Sequence, residues 1–467
     1  MTAPTTENAP YIPPRIFGPQ YRTATIGILL VVTLIAFEGM SIGAAMPAIA
    51  ADLNAKDLYG WSFSAFLMSG LLATAITGQW ADRRGHALPF VFGVTVFVAG
   101  MVLAGEANGK EIFIASRAVQ GFGGGAAIVA SYVMIAKVYD PSVRPKIFAA
   151  LSSAWVVPAL IGPSVGGLVA DTVGWRWVFR GIVPLVVPAL LMLLPALRAK
   201  GDAQAGDSGD DARAVRRGGP VMVTLAAAGT AFGAGVLLYG VDNLHLNLPL
   251  GLGACAVGLV VFAAGLPRLL PKGTLRLRRG LPTTIVMRGL LAGAFFGVNS
   301  FIPLMLQDVH GYSSTAAGIA LTTGALGWSA GAYLQSRGFI DHERMIMLGA
   351  MGVTAGIVLT ALAVVPGVPG WITVPAWVVA GLGMGMGISS VNVTTMHQSS
   401  DEEQGANSAS LQVMDTLGGA LMIGLGGALI NVVGHDDTAT GFGVIAASMV
   451  GLGIVASIVA RRVRVPT

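Results

Sequence analysis

Charge is scarce in this chain, and cysteine is almost missing. Only 11% of the 467 residues are Asp, Glu, Lys or Arg, against about 25% in an ordinary soluble domain. That shortage excludes a water-covered globular surface. The single Cys255 rules out an intrachain disulfide and leaves the redox compartment undetermined. The six histidines (86, 245, 310, 342, 397 and 435) are scattered over both faces and show no HExxH-like spacing, which argues against a membrane-embedded enzyme with clustered His, Asp or Glu. No cleavable signal peptide is expected. The first apolar run starts near Thr23 and is too long for an h-region, and the polar residues before it carry Pro10, Pro13, Pro14 and Pro19, as a disordered tail does.

Apolar length is what the chain has in abundance. It is 54% hydrophobic, with mean hydropathy +0.73, and holds 65 Gly and 24 Pro. Such a Gly and Pro content suits helices packed closely in a bilayer. A spanning helix needs about 20 residues, and fourteen such segments are predicted: 23–49, 61–81, 89–106, 111–138, 146–170, 175–197, 220–241, 248–267, 282–306, 313–336, 344–365, 371–396, 406–433 and 439–460. The fold class is therefore an all-α polytopic membrane protein. Of the 28 Lys and Arg residues, three fall within helices (Arg117, Arg180, Arg288) and three in one set of alternate loops (Lys56, Lys110, Arg176), with the remainder on the other face. The positive-inside rule makes that second face cytosolic, with both termini inside. The net charge of +5 is thus a topology signal, not a sign of nucleic acid. The one exception is the acidic turn Asp401, Glu402, Glu403.

Two charged linkers set the organisation. Residues 198–219 read as a flexible cytosolic linker and 268–281 as a second, basic one. They separate a tail (1–22), a six-helix bundle (23–197), an inserted helix pair (220–267), a second six-helix bundle (282–460) and a short tail (461–467). Gly331-x-x-x-Gln335-Ser-Arg337-Gly338 in the second block echoes Gly78-Gln-Trp-Ala-Asp82-Arg83-Arg84-Gly85-His86 in the first. Two parallel repeats of this kind hold substrate at the bilayer midplane between them.

Within the spans, charge marks function. Glu38 interrupts the first apolar run, where an ionised carboxylate costs about 2.5–3.5 kcal/mol or more. It must be neutral, paired, or facing a wet cavity. Arg117 cannot lose its proton and needs acceptors or a counter-ion. Asp415 is a second intramembrane acid, expected to pair with Arg288 or to titrate itself. Gln120, Asn299, Asn392 and Gln412 are polar points, and Trp155, Phe296 and Trp328 aromatic ones, that suit a soft substrate cavity. Gly121 to Ala126 spells Gly-x-Gly-x-x-Ala, but no strand precedes it, so close helix packing is the better reading than a nucleotide. Pro158 and Pro163 bend their helix, while Gly162-x-x-x-Gly166 flattens one face.

In combination, these stretches resemble the fourteen-helix drug:proton antiporter branch of the major facilitator superfamily. The resemblance rests on the Gly78–Gly85 loop, on Arg117-x-x-Gln120-Gly121, and on Gly162-Pro163-x-x-Gly166-Gly167. Glu38, nine residues before Pro47, stands where that family's first helix has an Asp, and Gly43 where it has an Asn. The resemblance implies several things. Gly78, Asp82, Arg83 and Gly85 would form a conformational latch to the N-terminus of the thirteenth helix. Pro158, Gly162, Pro163, Gly166 and Gly167 would form the antiporter motif of exporters. Glu38, Arg117 and Asp415 would couple protons. The function implied is efflux of amphipathic, in some cases cationic, small molecules from a bacterial inner membrane by alternating access. A proton gradient would drive it, with no cofactor and no metal. The partners implied are the substrate and membrane lipid, and the protein would be a monomer. A lipid or metabolite exporter of the same fold is the alternative within transport, and a non-transporting membrane sensor or receptor is the alternative outside it.

Overall fold

The computed structural model describes residues 15–198, 219–434 and 437–464; the side chain of Asp82 and most of the 1–22 and 198–219 segments lie outside the described residues. Every predicted span is helical. The helices are α1 (Arg22–Asp52), α2 (Tyr59–Arg84), α3 (Ala87–Gly105), α4 (Lys110–Val138), α5 (Arg144–Thr172), α6 (Arg176–Arg180 and Val183–Arg198) and α7 (Pro220–Asn243). Then follow α8 (Leu248–Gly265), α9 (Leu281–Asn299 and Ile302–His310), α10 (Ser314–Ser336), α11 (His342–Ala361), α12 (Thr373–His397), α13 (Gln404–Val433) and α14 (Thr438–Val459). Among the described residues, thirteen of these are long and apolar enough to cross a membrane. The exception is α10, whose Ser, Thr and Gln residues lower its hydropathy while Ala317, Gly318, Ala320, Gly324 and Gly327 pack inward.

The structure departs from the predicted segments where proline intervenes. α9 breaks at Ser300 and Phe301, because Pro303 cannot donate to the carbonyl of Asn299. α6 likewise splits ahead of Pro184, which leaves the Arg180 carbonyl without its helical donor.

Helices α1–α6 pack on one another, as do α9–α14, giving two six-helix repeats. They meet along two seams, α5 with α10 and α2 with α13. Small residues make those seams close. A Cβ on Gly167 would lie 2.2 Å from the Ser314 carbonyl oxygen, and one on Gly318 the same distance from that of Pro163. The inserted α7 lies against α2 and α13, and α8 packs chiefly on α7, so the pair covers one seam only.

Candidate functional site

The site is built on α4. A Cβ on Gly121 would lie 2.0 Å from the Phe66 carbonyl oxygen, and one on Gly123 would lie 2.2 Å from the Phe97 backbone nitrogen. The glycine-rich run therefore lets α2 and α3 close onto α4, as the packing reading expects. That approach sets Arg117, one turn earlier, in the space shared by four helices. Its guanidinium pairs with Glu38 of α1 and donates to Gln120, and Nε donates to the Ser62 carbonyl of α2 at 3.1 Å. Gln120 in turn donates to the Gly100 carbonyl of α3 at 3.0 Å. Arg117 also sits 4.6 Å from the Phe66 ring centroid, a cation–π contact.

This cluster is dry. Glu38 and Gln120 are 0% exposed and Arg117 is 1% exposed. Glu38 Oε1 is engaged by Arg117, but Oε2 has no hydrogen-bond partner among the described residues. A buried carboxylate oxygen without a donor is costly unless it carries a proton.

Between the halves lies a cavity of about 1840 Å³. Phe66, Arg117, Trp155, Phe296, Asn299, Trp328, Gln412 and Asp415 border it, and it reaches Gln79, Lys272 and Glu403 at the basic face. Five of the seven cavity candidates are therefore on its wall. Two are not, which corrects the sequence reading. Gln120 is sealed behind Arg117, because its amide is used by Arg117 and Gly100. Asn392 lines a smaller neighbouring pocket and accepts from Arg288 Nη1 at 3.0 Å. Asn299 accepts from Trp377 Nε1 at 3.0 Å, and Phe295, which the sequence reading omitted, stacks on Trp377 at 4.9 Å. Asp415 accepts from Arg288 Nε at 2.7 Å, one of the two arrangements expected for it.

The opposite face is sealed. Lys56 bridges the halves to Asp308 at 2.8 Å and to Thr438 at 2.9 Å. Tyr59 donates to the Ser300 carbonyl at 3.1 Å and Ser64 to that of Ala420 at 2.8 Å. Asp171, at the end of α5, caps the first turn of α10. It accepts from the Ser314 and Thr315 N–H groups at 3.1 and 2.8 Å and from the Thr315 hydroxyl at 2.6 Å. No sequence motif marked this cap; the only signal was an acid at one helix end and Ser-Ser-Thr at another. Helix N-termini attract negative charge by about 0.3–1 kcal/mol. Asp171→Asn keeps one acceptor oxygen and loses the charge. We expect an impermeant maleimide to reach a cysteine at cavity position 67 from the sealed face about two- to fivefold faster.

The antiporter-motif residues lie where α5 packs on α1 and, across one seam, on α10. Ser41 of α1 donates to the Gly162 carbonyl at 3.0 Å, and a Cβ on Gly166 would lie 2.5 Å from the Ser41 carbonyl oxygen. Pro158 is buried within the same helix. At the basic face, Gly78 borders the cavity, Arg83 and Arg84 are exposed, and Gly85 turns the chain with φ +83°. Among the described residues no ion pair joins this loop to Asp401, Glu402 or Glu403, and the ends of α2 and α13 both border the open mouth. The Asp82 side chain falls outside the described set.

Comparison with known proteins agrees with this architecture. Residues 28–423 match the Major Facilitator Superfamily. The multidrug transporter protein MdtP of Bacillus subtilis is 25% identical over 413 residues, 87% of this chain and 74% of that protein. A probable multidrug-efflux transporter of Mycobacterium tuberculosis is 26% identical over 433 residues, 88% of each. In fold, the chain is similar to a bacterial homologue of the human lysosomal transporter Spinster in an inward-facing, occupied conformation. There the TM-score is 0.64 at 14% identity, covering 95% of this chain and 96% of that one. This multi-pass membrane protein belongs to the Major Facilitator Superfamily of transporters.

Proposed function

We propose that the chain is a proton-coupled exporter of amphipathic small molecules, working by alternating access as a member of the fourteen-helix drug:proton antiporter branch. The basic face is taken as cytosolic, with both termini inside a bacterial cell membrane. One observation carries the reading: the dry Glu38–Arg117 pair, with a free carboxylate oxygen, at the wall of a large cavity open toward the basic face. The efflux names of the relatives support the direction of transport.

The coupling follows from exclusion. Ionised Glu38 and Arg117 neutralise each other, and Arg117 stands between the carboxylate and the cavity. A proton on Glu38 removes that attraction and frees the guanidinium, which alters how α1 and α4 hold together. A substrate packed against Phe66 and Arg117 favours the paired, deprotonated state. Proton and substrate then oppose each other's binding, and linkage makes that opposition reciprocal. The Asp82 loop would close the basic face in the alternate state, and Asp415 with Arg288 would hold α9 to α13.

The test is proton movement in inside-out vesicles, with lipophilic cations, neutral drugs and lipids added to an established pH gradient. Wild type should release protons on adding substrate, and Glu38→Gln should fall to background. Equal responses from the two proteins would remove Glu38 from the proton path and turn attention to Asp415. A response to lipids alone would favour the lipid-exporter alternative.

A further inference from the structure

Residues 266–280 join α8 to α9 as an ordered strap, although the sequence reads there as a linker. Leu266, Leu270 and Thr274 are buried, Ser410 of α13 donates to the Leu269 carbonyl at 2.9 Å, and the Gly280 N–H donates to the Arg462 carbonyl at 3.0 Å. Gly273 and Gly280 turn the chain at φ +91° and +84°. The anchored strap presents Arg268, Lys272, Arg276, Arg278 and Arg279, all exposed. None of the five forms an ion pair among the described residues. The sequence has no acidic residue between Asp242 and Asp308. The bond to Arg462 also brings exposed Arg461 and Arg462 alongside. Glu343, at the start of α11, is already taken by Arg464 at 2.6 Å.

Two further observations say what covers this charge. The strap runs from the last turn of one spanning helix to the first turn of the next, so it lies at the level of the lipid headgroups. It leaves the bilayer beside α8, whose outer side exposes Leu252, Leu259 and Val260 to lipid, the last at 68%. Among the cations, Leu275 is an aliphatic side chain that is 55% exposed.

We propose that this strap binds the headgroup phosphate of an anionic phospholipid, with Arg276, Arg278 and Arg279 supplying the charge and Leu275 entering the acyl boundary. Guanidinium groups match phosphate oxygens bidentately. Because the strap is already held by α13 and by the C-terminal segment, little backbone order remains to be lost on binding. Juxtamembrane basic residues are drawn to an anionic surface, each adding to affinity within a Debye length.

The test uses the full chain purified in uncharged detergent, with phosphatidylglycerol or phosphatidylcholine titrated and retained lipid counted by native mass spectrometry. Wild type should retain phosphatidylglycerol in preference to phosphatidylcholine. The triple variant Arg276→Gln, Arg278→Gln, Arg279→Gln should bind it on the order of a hundredfold more weakly. The matching triple Lys variant keeps the charge and loses the bidentate fork, so it should recover only part of the binding, whereas a merely structural role of the guanidinium groups would give no recovery. Leu275→Ser leaves every charge and anchor in place and should weaken retention severalfold, so the idea stays testable if the triple variant fails to fold. Undiminished retention by the Gln triple would overturn the proposal. Displacement of the lipid by excess inorganic phosphate would also overturn it, since the strap would then be a general anion site.

Discussion

Arg117→Met should both destabilise the protein and abolish coupled transport. The substitution removes the cation facing a carboxylate that is 0% exposed. Breaking a buried pair from one side costs about 3–5 kcal/mol, because the remaining charge has lost both water and partner. The cost is avoided only if Glu38 holds a proton permanently, and a permanently protonated Glu38 cannot couple. Either outcome stops proton exchange, and thermal unfolding in detergent separates them. A large fall in Tm means the charge persists; a small one means it has been neutralised. Arg117→Met combined with Glu38→Gln removes both charges and should regain most of the lost stability while leaving transport dead. A double variant no more stable than Arg117→Met alone would mean that the Ser62 and Phe66 contacts of Arg117, not its pairing, hold α4 in place.

Gly167→Ala is expected to shift the protein away from the conformation seen here. The added methyl would sit 2.2 Å from the Ser314 carbonyl oxygen and 2.8 Å from the Thr315 nitrogen, both backbone atoms of α10 with little room to yield. Overpacking of this kind costs about 1–3 kcal/mol. The strain exists only while α5 and α10 touch at the sealed face, so it acts on one state and not on the other. A differential of that size moves a two-state equilibrium by roughly 5–150-fold. Spin labels at exposed Val173 and Val309, after Cys255→Ser, would report it as a new population at longer distance. Gly253→Ala, where a Cβ meets nothing within 4 Å, is the control. An unchanged distance distribution in Gly167→Ala would mean that the α5–α10 contact does not gate the sealed face.

Much of the architecture was legible because membrane solvation writes itself into composition. The fourteen helices follow from runs of about 20 apolar residues, and even α10, too polar to qualify by hydropathy, fits the count by position. Glu38, Arg117, Asp415 and Arg288 stood out for a related reason: a charge in hydrocarbon must have a partner, and few were available. In the structure Glu38 pairs with Arg117 and Asp415 with Arg288, the second being one of two readings left open for Asp415.

What one-dimensional pattern does not carry is which wall a side chain faces. Gln120 and Asn392 are as polar as Gln412, but neighbouring helices consume their hydrogen bonds before the main cavity is reached. The sealing contacts were hidden too, since Asp171 and Ser314 lie 143 residues apart and neither is unusual where it stands. The stretch before α9 reads as a linker because five basic residues, two prolines and two glycines fall within it, whereas the burial of three of its side chains and its bonds to Ser410 and Arg462 depend on elements far along the chain. By itself, then, the sequence determined the helices, their charged interruptions and the basic face, all consequences of placing each residue in water or lipid. Which face is sealed, which polar groups meet the cavity and how the strap is held were decided by the tertiary structure, because each depends on the approach of helices that only packing brings together.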